Sequence, residues 1–160
     1  SLQRKRCAAI MIVDLSYVTE YRDKTDGEDQ SAVFDKSYNL VNRIVKKHLG
    51  EIDNIIGNYV VALFGIFGDI NPELTACYCG REIVEEAREM FGLKESDPKR
   101  AIPIAVHSGD LYIYSHSTAK STARKVVGEN INAAFKTLSA DNEYDIAVTD
   151  SVYKKTKRIF

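Results

Sequence analysis

The sequence lacks any apolar run long enough to cross a bilayer, and it opens with no leader-like segment. It has almost no net charge: 22 basic residues against 23 acidic ones leave a formal −1. No global field draws it to nucleic acid or to an anionic membrane, so neither is expected as a partner. It has no even set of cysteines. Cys7 stands alone in an apolar stretch, and Cys77 and Cys79, two apart on a helix, face different ways. Reduced thiols in a reducing compartment are the expectation. His48, His107 and His116 show no metal-ligand spacing, and no Ser-His-Asp or Cys-His set can be assembled. The chain also has no Gly-rich strand-to-helix turn of the dinucleotide or P-loop kind. These absences argue against a disulfide scaffold, a zinc site, a triad hydrolase and a doubly wound nucleotide fold.

What is present is one ordinary globular composition, 44% apolar and 28% charged over 160 residues. Residues 1–6 read as a linker or appended remnant. Residues 7–160 read as a single domain, a module of a larger protein. Cys7 to Val13 is continuously apolar and ends at Asp14, the pattern of a strand buried on both faces. Arg22 to Gln30 is polar and reads as a loop. A helix follows with Phe34, Tyr38, Val41, Ile44, Val45 and Leu49 inward, closed by Gly50. Ile52 to Phe64 is β-rich and broken by Gly57-Asn58, a hairpin signal. Asn71-Pro72 caps a second helix with Ile83, Ala87, Met90 and Phe91 inward, while Glu82, Glu85, Glu86 and Glu89 form its outer face. A strand over Ala101 to His107 is expected to turn at Ser108-Gly109-Asp110 into Leu111 to Tyr114. A short strand or turn at Val126-Val127-Gly128, a helix from about Asn130 to Leu138, a strand from Tyr144 to Thr149 and a short helix capped by Asp150 complete the chain. The basic run Lys154 to Arg158 reads as a solvated helix end. Strands and helices alternate, yet hairpins also occur. That mixture predicts an α+β fold, an antiparallel or mixed sheet with helices packed on one face.

Three places could carry chemistry. Asp14 is a carboxylate held at a strand end, where hard cations could find oxygen. Gly57-Asn58 is a turn, and alone it says nothing about function. Asn132 and Lys136 lie four apart and share a helix face, an amide and a cation suited to a ribose hydroxyl and a phosphate. Each has a structural explanation when taken alone: a turn cap, a tight turn and a solvated helix face.

Together and in order they resemble a known family. Asp14-Leu-Ser-Tyr-Val-Thr, Gly57-Asn-Tyr-Val-Val-Ala-Leu-Phe-Gly65, His107-Ser-Gly-Asp-Leu111 and Val127-Gly-Glu-Asn-Ile-Asn-Ala-Ala-Phe-Lys136 resemble the motifs of class III adenylate/guanylate cyclase catalytic domains. The resemblance implies a ferredoxin-like nucleotidyl cyclase fold working as a homodimer or heterodimer, with ATP or GTP bound across the interface. It also implies two Mg²⁺ or Mn²⁺ ions on two Asp residues, and a lyase reaction that closes a cyclic nucleotide and releases pyrophosphate. It places the domain in the cytoplasm, as a cytosolic part of a larger membrane or soluble protein, without membrane contact of its own.

Matched position by position, Asp14 falls on the first metal Asp and the Leu15 carbonyl on a backbone ligand. Asn58 falls on the second metal Asp, Asn132 on the ribose Asn, and Lys136 on the phosphate Arg. Asn54 stands where a base-reading Lys is usual, and Lys125 near its partner, so base selectivity is not carried over. Asn58 keeps the shape of Asp but not its charge, so weak or partial metal occupancy is implied. Losing one such interaction corresponds to ~3 kcal/mol, or about a hundredfold in rate. The expectation is a cyclase-type signalling domain of weak or absent activity. The alternatives are a non-catalytic cyclase-homology module that dimerises or binds nucleotide, and a half-site partner lending Asn132 and Lys136 to an intact subunit.

Overall fold

The computed structural model describes residues 2–21, 30–68, 71–117, 122–140 and 145–157. The polar stretch that begins at Arg22, the Tyr144 strand start and Arg158 lie outside them. The apolar run from Cys7 to Val13 sits in β1 (Leu2–Asp14), and Ala8 to Val13 are all fully buried. Alternation splits them: Ala8, Ile10 and Ile12 serve one core, and Ala9, Met11 and Val13 another on the opposite face. Burial of Ile10, Met11, Ile12 and Val13 contributes about 1.5–3 kcal/mol each. β1 begins ahead of Cys7, because Leu2 to Arg6 pair with the strand beside it.

Around β1 the sheet runs β2 (Glu51–Ile56), β3 (Tyr59–Phe64), β1, β4 (Ile104–Ser117), β5 (Thr122–Val127), all antiparallel neighbours. β6 (Ile146–Val148) lies parallel to β4 and makes the sheet mixed. The Gly57-Asn58 turn joins β2 and β3, and Gly57 uses the left-handed conformation (φ 60°) that such a turn requires. α1 (Gln30–Lys47), α2 (Pro72–Met90) and α4 (Asp150–Thr156) contribute to the Met11 core, and α3 (Glu129–Ala140) to the Ile10 core. The helices therefore cover both faces rather than the one face expected. No helix among the described residues is long and apolar enough to cross a membrane.

Several local expectations are corrected. Ser108-Gly109-Asp110 does not turn the chain; β4 runs straight through it, since these residues pair with Ala9, Ala8 and Cys7. Leu49 is exposed and takes the left-handed position after α1 (φ 60°), where a glycine was expected. Gly50 answers a different need, because a Cβ there would stand 2.5 Å from the Phe64 ring. Met90 is 39% exposed, while Phe91 packs on the core. Thr149, not Asp150, is the N-cap of α4; Asp150 instead pairs with Lys154 at 2.8 Å. Of the acidic series, Glu82 reaches Lys47 and His48, and Glu86 reaches Arg43, so these two lock α2 to α1.

Candidate functional site

Strand pairing builds the site. Asp14 ends β1 opposite Tyr59, the residue that follows the Gly57-Asn58 turn. The Leu15 backbone N–H donates to the Asn58 carbonyl at 2.9 Å, so strand end and hairpin tip are stitched together. Asp14 is 7% exposed, although it is a carboxylate. Its Oδ1 accepts the Ser16 N–H at 2.8 Å, which fixes the side chain against the turn at Ser16–Tyr21. The Leu15 side chain is buried and anchors the strand end, while Asn58 is exposed at the tip.

The second half is on α3. Ile131, Ala134, Phe135 and Leu138 face the Ile10 core, and Asn132 and Lys136 are exposed on the other side of the helix. By strand alternation Asp14 lies on the sheet face that α3 covers. The Tyr59 and Phe135 rings meet edge to face with centroids 5.5 Å apart, so the Lys136 turn of α3 is packed near the hairpin base. Asn132 and Lys136 are both exposed, and among the described residues neither side chain reaches Asp14, whose Oδ1 is engaged by the Ser16 N–H. The structure thus brings Asp14, Leu15 and Asn58 together and leaves Asn132 and Lys136 presented outward.

No family model and no curated protein matches this chain. Solved structures do. The adenylyl cyclase CyaB from P. aeruginosa superposes with a TM-score of 0.76 at 16% identity, covering 99% of this chain and 84% of that one. A dimeric guanylyl cyclase domain from the aquatic fungus Blastocladiella emersonii gives 0.74 at 17%, over 99% and 86%. The guanylate cyclase domain of RhGC from Catenaria anguillulae, solved in complex with GTP, gives 0.72 at 17%, over 96% and 84%. The chain has the class III nucleotidyl cyclase fold.

In this cyclase fold the remaining candidates are scattered. Asn54 is exposed on β2 beside a bulge, and its Oδ1 accepts the N–H of its own neighbour Ile55 at 2.8 Å. Lys125 lies on β5 opposite Tyr114; its side chain is outside the described residues. Among the described residues no group of three His, Cys, Asp or Glu side chains converges. One carboxylate with an oxygen already engaged, one carbonyl and one amide carry a single negative charge. That donor set does not fit a pair of divalent cations.

Sequence reasoning passed over two residues that the geometry makes central, His107 and Asn130. His107 Nε2 lies 2.8 Å from Asn130 Oδ1, and Asn130 Nδ2 donates to the Asp110 carbonyl at 2.8 Å. Asn130 stands two before Asn132 in a motif that was read for Asn132 and Lys136. The signal was Gly109: a glycine inside a strand marks a close approach, and here the approaching group is Asn130.

Elsewhere a half-buried ion pair ties α2 to α4. Glu73 is 4% exposed and accepts from Ser108 Oγ at 2.6 Å and Lys155 Nζ at 2.9 Å. Burial alone raises its pKa, but the bonds from Lys155 and Ser108 outweigh this and hold it below the usual carboxylate range. Burial, with Glu73 nearby, pushes the Cys77 thiol up to about 11; burial, with Glu82 nearby, pushes Cys79 up to about 12.

Proposed function

We propose that this is a nucleotidyl-cyclase-type signalling domain that takes ATP or GTP at a dimer interface and turns it over weakly or not at all. One observation carries the reading: Asn58 sits at the hairpin tip joined to the Asp14 strand end, where a second carboxylate is needed and an amide stands. Asn132 would hydrogen-bond a ribose hydroxyl, and Lys136 would neutralise a phosphate as a point charge without the bidentate fork of Arg. Both point away from the sheet of their own chain. This supports a site completed by a second chain, and so favours a second reading: a half-site partner that lends Asn132 and Lys136 to a subunit with both metal carboxylates.

The test is direct. The domain is incubated with MnATP and with MnGTP, and cyclic nucleotide is sought by mass spectrometry. Turnover is expected to be low, and Asn58→Asp is expected to raise it about a hundredfold. Ordinary cyclase rates in the unaltered chain would overturn the reading. Stimulation of an intact cyclase subunit on mixing, lost in Asn132→Ala, would select the half-site reading.

A further inference from the structure

β4 has two different neighbours along one edge. β6 lies beside Ile104 to Val106, and β5 beside Tyr112 to Ser117. His107 to Leu111 fall in the gap between them, and side chains bridge it. His107 Nδ1 lies 2.9 Å from Thr149 Oγ1, and its Nε2 lies 2.8 Å from Asn130 Oδ1. Asn130 Nδ2 donates to the Asp110 carbonyl at 2.8 Å. Thr149 Oγ1 lies 2.9 Å from Ser151 Oγ, which donates to the Ser108 carbonyl at 3.1 Å.

Counting protons assigns every donor. The carbonyls of Asp110 and Ser108 can only accept. Asn130 therefore turns its NH₂ to Asp110, and its Oδ1 accepts from His107 Nε2–H. Ser151 has one hydroxyl proton, committed to Ser108. The single Thr149 proton then goes to Ser151 Oγ, so Thr149 Oγ1 must accept from His107 Nδ1–H. All five hydrogen bonds coexist only when the ring carries both protons. With a neutral ring, one link lapses or two lone pairs face each other.

We propose that His107 is a proton-operated latch: its doubly protonated ring fastens the first turn of α3 to the start of α4 and thereby positions Asn132 and Lys136. The meaning for nucleotide binding rests on the reading above; the latch itself does not. Charged groups on the surrounding elements are mixed. Asp110 of β4 pairs with Lys5 of β1 at 3.3 Å, and Asp150 of α4 pairs with Lys154 at 2.8 Å. Lys155 of α4 pairs with Glu73 of α2, and α3 carries Glu129 in its first turn. β5 carries Arg124 and Lys125, whose side chains are outside the described residues. Among the described residues no carboxylate touches the ring, so the neutral acceptors Thr149 and Asn130 hold both protons.

The experiment uses the full chain without metal or nucleotide. Ring ¹⁵N NMR of His107 is followed between about pH 5.5 and about pH 8, alongside amide exchange of Ala133 to Lys136 corrected for intrinsic base catalysis. Both ring nitrogens are expected to be protonated at the acid end, with α3 protection roughly tenfold higher in that state. Thr149→Val is nearly isosteric, removes the Nδ1–H acceptor and is expected to abolish the pH dependence. A single neutral tautomer throughout, α3 protection indifferent to the ring, or full pH dependence in Thr149→Val would each overturn the latch. Should Thr149→Val not fold, the ring and exchange data on the unaltered chain decide alone. No outcome depends on nucleotide, so failure here leaves the cyclase reading standing, and failure of turnover leaves the latch standing.

Discussion

Gly109→Ala should destabilise the domain, for lack of space rather than backbone strain. Gly109 is in β4 opposite Ala8, and its backbone is not in the left-handed region. A Cβ there would stand 2.5 Å from the Asn130 amide nitrogen and oxygen. Asn130 cannot yield cheaply, because its amide is held by His107 Nε2 and the Asp110 carbonyl. Moving it breaks two hydrogen bonds, ~2 kcal/mol at about 1 kcal/mol each. Replacing glycine within a strand returns about 0.5–1 kcal/mol. The net loss is about 1–1.5 kcal/mol, a fall of about 4 °C in Tm for a domain of this size. Thermal and urea unfolding measure it. Asn130→Ala should cost about 2 kcal/mol alone, and adding Gly109→Ala to it should cost nothing further. A neutral Gly109→Ala, or two effects that simply add, would refute the reasoning.

Other expected outcomes concern the rest of the molecule. Arg88, with its side chain 15% exposed, donates to the carbonyls of Lys94, Asp97 and Lys99 at 2.7 to 2.8 Å. Arg88→Met keeps the stem and should cost about 2 kcal/mol in urea unfolding, with protease nicking within residues 92–100. Because the folded pKa of Glu73 is depressed, its contribution is present above the unfolded carboxylate value and lost as pH falls through the folded one. Glu73→Gln should therefore lose about 1 kcal/mol near neutral pH, discounted because Lys155 is half exposed, and match the parent in acid. With their pKa values raised to about 11 and about 12, Cys77 and Cys79 should resist alkylation until the protein unfolds, whereas exposed Cys7 should react in the folded state. Mass spectrometry after iodoacetamide labelling counts the modified thiols.

Much of the architecture was legible in residue order. The apolar run ending at Asp14, the Gly57-Asn58 hairpin and, apart from Leu49 and Met90, the amphipathic faces of α1 and α2 each depend on near neighbours, and each stands where expected. The errors share a cause. Ser108-Gly109-Asp110 has the composition of a turn, and Leu49-Gly50 that of a glycine-capped helix end. In both places the glycine answers to an atom far along the chain, Asn130 in one case and Phe64 in the other. The outward-facing acidic series failed similarly, because α1 supplies the cations that turn Glu82 and Glu86 inward.

By itself the sequence determined most of the elements: which segments bury two faces, which bury one, and that the Gly57-Asn58 turn needs a residue that tolerates positive φ. Those are local properties, set by side-chain alternation and steric limits within a few residues. Only the tertiary structure decided that Asp14 and Asn58 are stitched together, that Asn132 and Lys136 face away from their own sheet, and that His107 bridges the gap between β5 and β6. Those facts depend on strand order and on hydrogen-bond partners distant in the chain, which no local preference encodes.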